Sequence, residues 1–312
     1  MHAKVAGTPN TAAPRAHFAR GDAPRLLYWN QYCSPRGGVP LFLSVDVGNT
    51  QTTLGLFEAD GTLMRQWRMA TDHTDTSDEL HERLFGYFQM FGRDLAEVTD
   101  SAVAGVVPIL SQSWQRMLRE VVGTEPLMID ATRDCGIPIH MPNPRQVGAD
   151  RIANALSALT TYGAPVIVVD FGTATNIDVV DASGAFRGGA IMPGLLLSAQ
   201  SLFSRAAKLS SVPLIVPPHA LGDSTETAVQ SGIVIGAAAQ AEGLVARIQE
   251  ELAAEGEDVP RATVVGTGGF SATIAEATDL FDALDPDLTI RGIYQIWRHR
   301  AEKRAARQRS EA

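Results

Sequence analysis

Cysteine is nearly missing from this 312-residue chain, which has only Cys33 and Cys135. Two cysteines cannot build a disulfide framework or a cysteine-based zinc site; they read as free thiols suited to a reducing compartment, and a cytoplasmic protein is expected. Lysine is almost as scarce. Lys4, Lys208 and Lys303 are the whole set, and none follows G-x-x-x-x-G, which excludes a Walker A phosphate loop. No apolar run reaches about 18 residues, so no membrane span is expected. The first 39 residues also lack the continuous apolar core of a secretory signal. Their basic, acid-poor character faintly resembles a transit peptide, and an extension retained from an upstream start is the plainer account.

What is present fits an ordinary globular protein: 45% hydrophobic and 20% charged residues, with mean hydropathy near zero. At roughly 150 residues per domain the length suggests two compact units, with one large domain as the alternative. The net charge of −9 conceals a division, because residues 1–40 carry +4 and residues 291–312 carry +5, leaving −18 for residues 41–290. A body this acidic repels phosphate backbones, so nucleic-acid binding is not expected outside the tails, and the tails read first as solvated ends.

Residues 1–40 read as a disordered or poorly packed extension, and 298–312 as a basic tail. From Leu41 the pattern changes. "LFLSVDVGNTQTTLGLFEADGTLMRQWRM" predicts a three-stranded meander with a polar turn at Gly48–Thr50 and a hairpin at Asp60–Gly61. Leu80, Leu84, Phe85 and Phe88 recur at helical spacing behind a Thr76 or Ser77 cap, and the order over 41–130 is βββαβαβ. The opening is echoed 124 residues later. Asp170 and Gly172 repeat the D-x-G of Asp46 and Gly48, each after an apolar strand and before a second turn, Ser183–Gly184 in the later copy. The interval from Asp to turn glycine is 15 residues and then 14, so one insertion or deletion separates the copies. An internal duplication is expected, with domains at 41–150 and 151–297. Further helices are expected over 195–209, 226–254 and 271–276.

With no Walker A lysine, phosphates would need another cradle. Two D-x-G turns followed by hydroxyl residues, facing one another across a cleft, could supply turn amides and Thr hydroxyls as donors, with each Asp holding a cation or a water. Taken singly, each is also a plain β-turn with an Asp turn former. Gly266, Gly268 and Gly269 end a strand ahead of a helix, where backbone can approach a nucleoside closely or serve only helix packing. Asp150 and Arg151 head a long helix after Gly148. They could be dipole partners of that helix, or a base beside an anion clamp.

The blocks "DVGNTQTTLGLF", "NPRQVGADRIANA", "VVDFGTATNIDVVD", "GGAIMPGL", "TETAVQSGIVIGAAAQAEGLV", "GTGGFS" and "DALDPDLTIRGI" resemble, in order, those of the type III pantothenate kinases over about residues 41–293. The D-x-G turns alone would indicate only the wider superfamily of acetate kinase, sugar kinases, heat-shock chaperone ATPases and actin. The resemblance implies an α/β, duplicated ribonuclease H-like fold of the actin-like ATPase type, two domains with a cleft between them. It implies ATP-dependent phosphorylation of the 4′-hydroxyl of pantothenate, the first step of coenzyme A biosynthesis. On the matching positions, Asp46, Val47, Gly48, Asn49, Thr50, Gln51, Thr52 and Thr53 would bind ATP, with Thr173 and Gly268 completing the site. Asp150 would be the catalytic base. Gly148, Ala149, Asp150 and Arg151 would bind pantothenate, joined by Thr225 from the neighbouring subunit of a homodimer. Asp170 would hold a monovalent cation, K+ or NH4+, and Mg2+ would accompany ATP. A catalytically silent relative acting as a regulatory or accessory binding protein is the alternative. Asp223, where the family commonly has a basic residue, and Met141, where some members have Tyr, depart from the pattern.

Overall fold

The computed structural model describes residues 40–205, 212–256 and 259–311. Cys33, all of the expected extension except Pro40, and the end of the helix expected over 195–209 lie outside these residues.

Strands β1 (Leu41–Val47), β2 (Gln51–Phe57) and β3 (Leu63–Ala70) form the expected antiparallel meander, and β4 (Val98–Gly105) and β5 (Leu127–Met128) extend it on the other side in parallel. The sheet order is β3-β2-β1-β4-β5. β1 is apolar at nearly every position because it is central and covered on both faces. The second half repeats this plan with β6 (Val166–Phe171), β7 (Ala174–Val180), β8 (Phe186–Pro193), β9 (Thr263–Thr267) and β10 (Ala283–Leu284). Its order, β8-β7-β6-β9-β10, is that of the first sheet strand for strand. The hairpin glycines Gly61 and Gly184 both sit at positive φ, as a tight turn requires.

Helix α1 (Ser77–Phe91) starts from the Thr76 cap in a reciprocal capping box with Glu79, a device worth about 1 kcal/mol, and buries Leu80, Leu84 and Phe88. Together with α2 (Pro108–Val122), whose buried face carries Leu110, Trp114 and Leu118, it covers one side of the first sheet. In the second half α4 (Leu195–Arg205), α5 (Thr225–Gln230), α6 (Gly236–Ala253) and α7 (Ser271–Ala275) occupy the corresponding places. A π-type turn at Ser231–Ile235 joins α5 to α6, so Thr225–Ala253 runs as one helix. By length and composition this helix is apolar enough to cross a bilayer, although no run of 18 strictly apolar residues exists; only 28% of its most apolar stretch is buried within the chain.

Each half ends in a helix that leaves its own sheet's outer layer. α3 (Ala149–Tyr162) follows β5, and α8 (Leu288–Glu311) follows β10. The two pack against each other between the sheets, α3 against β6 and β7, α8 against β1, β2 and β4. Ile152, Leu156, Ile290, Ile293 and Tyr294 join Phe42 and Phe57 in the core shared by both halves. This exchange of closing helices ties the repeats together and brings the heads of α3 and α8 to the same place. The segment read as a basic tail continues α8 as helix to Glu311.

Candidate active site

The two D-x-G turns, the head of α3, the β9–α7 turn and the head of α8 line one cleft of about 260 Å³. Asp46 enters from the end of β1, Asp170 from the end of β6 and Asp150 from the first turn of α3. Gly48, Asn49, Gln51 and Thr53 line it from the first turn and Thr173 from the second, with Gly268 opposite. The turns are homologous but not identical. In the first, the Gly48 N–H donates to Gln51 O (3.1 Å) and Asp46 pairs with Thr53; in the second, the Gly172 N–H donates to Ala174 O (3.0 Å) and Asp170 pairs with Asn176. The single-residue difference between the copies therefore falls in these turns. Thr173 Oγ1 donates to Thr50 Oγ1 at 3.0 Å, joining the two tips.

Other expected site residues lie beside the cleft rather than in its wall. The Val47 side chain packs in the apolar core, so only its backbone is offered to a ligand. Thr52 is buried with Oγ1 2.9 Å from Thr71 Oγ1, and Thr71 donates to Gly48 O, which pins the first turn from behind. Gly148 precedes α3 as its N-cap and Ala149 is buried. Thr225 heads α5, exposed and outside the cleft lining of its own chain. Asp223 faces solvent and accepts a hydrogen bond from Thr227, and Met141 lies against Gly188.

Two glycines make room for carboxylates. A Cβ on Gly148 would stand 2.3 Å from Asp150 Oδ1, and one on Gly268 would stand 2.4 Å from Asp170 Oδ1; Gly268 is also at φ +87°, which disfavours any side chain. Asp150 Oδ1 accepts the Arg151 N–H at 2.8 Å. Burial raises the Asp150 carboxyl above its usual range, opposed by that N–H and by the Arg151 charge. Burial, reinforced by Asp150 and Asp170, pushes Asp46 well above the carboxylate range. Asp170 rises to about 6, from burial and then the Asp150 charge, against the hydrogen bond that Asn154 Nδ2 donates to Oδ2 at 3.0 Å.

Several site residues carry no motif signal of their own. Arg151 Nε donates to Asp178 Oδ1 at 2.7 Å, and its guanidinium lies 5.7 Å from the Phe186 ring centroid, so this arginine is clamped from behind the cleft. Burial drives Asp178 up to about 7 against the pull of Arg151, and Asp178 Oδ2 has no hydrogen-bond partner among the described residues. Thr289 Oγ1 donates to Asn154 Oδ1 at 2.7 Å, completing a chain from α8 through α3 to Asp170. Among the described residues Arg68, on β3, is the one cationic residue in the cleft wall. An acid inside the apolar run "NIDVV" was the available signal for Asp178, since a buried charge demands a partner. Asn154 and Thr289 are 135 positions apart, a pairing that only the fold reveals.

A family model described as type III pantothenate kinase matches residues 42–247. A curated protein of that name from Thermomicrobium roseum is 42% identical over 253 residues, covering 81% of this chain and 95% of the relative. Another from Moorella thermoacetica is 41% identical over 259 residues, covering 82% and 98%. A crystal structure from Campylobacter jejuni, described as a Baf family transcriptional activator, covers 83% of this chain and 99% of its own with a TM-score of 0.54 at 16% identity, a likeness of fold.

Proposed function

The chain belongs to the type III pantothenate kinases, and from that membership we propose that its cleft transfers the γ-phosphoryl group of ATP to the 4′-hydroxyl of pantothenate, with Asp150 as general base. The observation that carries this reading is the convergence of Asp150 with both D-x-G turns on one cleft. The cleft's volume of about 260 Å³ is near the lower limit for ligand pockets, which suits a space holding the reacting ends of two substrates.

Phosphoryl transfer asks the protein mainly for alignment and charge neutralisation. The Gly48 and Gly172 N–H groups close the turns, so the tip amides at Asn49, Thr50 and Thr173 are the donors offered to phosphate oxygens, beside the Thr50, Thr53 and Thr173 hydroxyls. Asp150 takes the proton of the attacking hydroxyl, and its raised proton affinity suits a base working near neutral pH. Arg151, held by Asp178, stiffens the head of α3 and so fixes the direction of that carboxylate.

The donor chemistry fits hard cations. Asp170 has Oδ2 engaged by Asn154 and Oδ1 without a hydrogen-bond partner among the described residues, which suits a monovalent ion, K+ or NH4+. Mg2+ would be carried by the nucleotide, held by phosphates and waters with few carboxylates. A bound cation would neutralise phosphate charge that Arg68 alone cannot offset.

The homodimer reading draws on exposed apolar side chains of the second half. Ile191 is 64% exposed, Ile215 57%, Leu197 49% and Leu221 88%, beside the largely unburied apolar helix Thr225–Ala253. A second copy would cover them, and exposed Thr225 is free to enter the neighbour's pocket. ATP and pantothenate are cytoplasmic metabolites, which sets the proposed location. ADP release by the purified protein, with and without pantothenate and K+, tests the proposal: release dependent on pantothenate and stimulated by K+ is expected, and its absence with pantothenate overturns the kinase reading. A monomeric mass by light scattering overturns the dimer.

A further inference from the structure

The arginine-rich end of α8 is not used by the cleft, yet it is not a loose tail. It forms one wall of a second cavity of about 540 Å³, whose opposite wall is the β4–β5 end of the first sheet. Trp297, Arg300, Arg304 and Arg307 line this cavity from one stripe of the helix, about 10 Å long between Arg300 and Arg307. The cavity shares no residue with the catalytic cleft, and the two differ in charge: three carboxylates line the cleft, and four cations, these arginines and Lys303, line the cavity.

The acidic residues of the cavity do not cancel this stripe. Asp134 is occupied by Lys303 and by His299. Glu125 leans away to Arg119 and Gln115. Asp100 is left, against Arg300, Arg304 and Arg307, none of which makes an ion pair among the described residues. Cations in a last helical turn are favoured by the helix dipole, which accounts for Arg309 but not for Arg300, Arg304 and Arg307, one to three turns further in. Like charges at i, i+3 and i, i+4 repel by some tenths of a kcal/mol per pair, so an anion held by the stripe would relieve a cost that the helix otherwise bears. Trp297 adds a planar surface. One side of the indole packs on Phe42, ring centroids 4.4 Å apart, and the ring is half-buried at the head of the stripe.

We infer that this cavity is a second ligand site, for a nucleotide polyphosphate whose base lies at Trp297 and whose phosphates run along Arg300, Arg304 and Arg307. Arginine forks suit phosphate, and an indole beside them suits a base. The volume is that of a small-molecule pocket, and the −18 charge of the body disfavours an extended nucleic acid. The inference stands apart from the catalytic proposal.

Equilibrium dialysis of the full chain with ADP, without Mg2+, reads the number of sites. Two ADP per chain are expected, one in each cavity. Arg300→Glu/Arg304→Glu/Arg307→Glu should bind one, and should weaken the ADP-dependent change in indole fluorescence, identified by its loss in Trp297→Phe, by about tenfold or more. A denaturant midpoint equal to that of the wild type shows that the triple variant is folded, whatever the fate of the kinase reading. Adenosine should leave the indole signal unchanged, and inorganic pyrophosphate should compete more weakly than ADP. One ADP per wild-type chain that the triple variant still binds overturns the inference. So do two ADP per triple-variant chain, pyrophosphate binding as tight as that of ADP, or a short single-stranded DNA that occupies the groove when ADP does not.

Discussion

The turn after Asp46 is one residue longer than its counterpart after Asp170, although the sheets around them share one strand order. The closing helices differ in the same way. The second residue of α3 is Asp150, and the second residue of α8 is Thr289; both line the cleft. One repeat thus presents a carboxylate to the substrate side. The other presents a hydroxyl that grips Asn154, which in turn grips Asp170. Duplication supplies a symmetric frame with two turns and two helix heads aimed at one cleft. On the proposed reading the chemistry comes from the positions where the copies no longer match, because two identical halves could not separate a base from a cation ligand.

Asp150→Asn makes the two helix heads alike in charge, and it should have the largest effect. Turnover is expected to fall about 10²–10⁴-fold while ATP affinity stays near wild type, read by steady-state kinetics and nucleotide titration. A wild-type rate would return Asp150 to the role of a helix-dipole partner. Arg151→Met comes next, because it leaves Asp178 buried without its counter-ion, while the second copy has no equivalent pair to compensate. A loss of about 3–5 kcal/mol is expected from denaturant midpoints, partly restored by the further change Asp178→Leu. If Arg151→Met is neutral, the pair does not hold the head of α3.

The repeat was legible because strand periodicity and turn glycines are local signals. The intervals of 15 and 14 residues revealed the indel but could not say whether it lay in a strand, the hairpin or the D-x-G turn. α1 was legible down to its cap, Thr76 being one of the two candidates, for the same reason: a capping box and one apolar stripe lie close together in sequence. α8 was not. Its apolar positions, Leu288, Ile290, Ile293, Tyr294, Ile296 and Trp297, do not form one narrow stripe, because the helix is covered by the first sheet and by α3 on different sides. Arg291 and the arginines after Trp297 then gave it the look of a solvated end. Asn154 and Thr289 were hidden for a different reason, that each matters through a partner far along the chain, and the acid in "NIDVV" signals Asp178 but not its partner.

The contact between the two turn tips offers a finer test. Thr50→Val and Thr173→Val, singly and together, form a cycle whose coupling reports the hydroxyl pair at 3.0 Å. About 0.5–1.5 kcal/mol of coupling in the ATP dissociation constant is expected if the turns act as one cradle. Additive effects would mean that each turn holds phosphate alone.

The smallest effect concerns how the end of α8 is held to the first half, by an ion pair where the end of α3 instead reaches Asp285 of the second half through the Tyr162 hydroxyl at 3.0 Å. Lys303, with the Gly136 N–H and His299, holds the Asp134 carboxyl at about 2. A carboxyl depressed in the folded state stabilises above its unfolded value near 4, and the contribution is lost as pH falls from there through about 2. Asp134 is 46% exposed, so solvent screening limits the gain to that of a surface ion pair, below about 1 kcal/mol. Asp134→Asn should therefore lower stability slightly at pH 7 and hardly at all at pH 2, read as the difference between wild-type and variant denaturant midpoints. An equal deficit at both values would assign the loss to the Asn side chain and not to the charge, and the end of α8 would then be held by its packing at Trp297 alone.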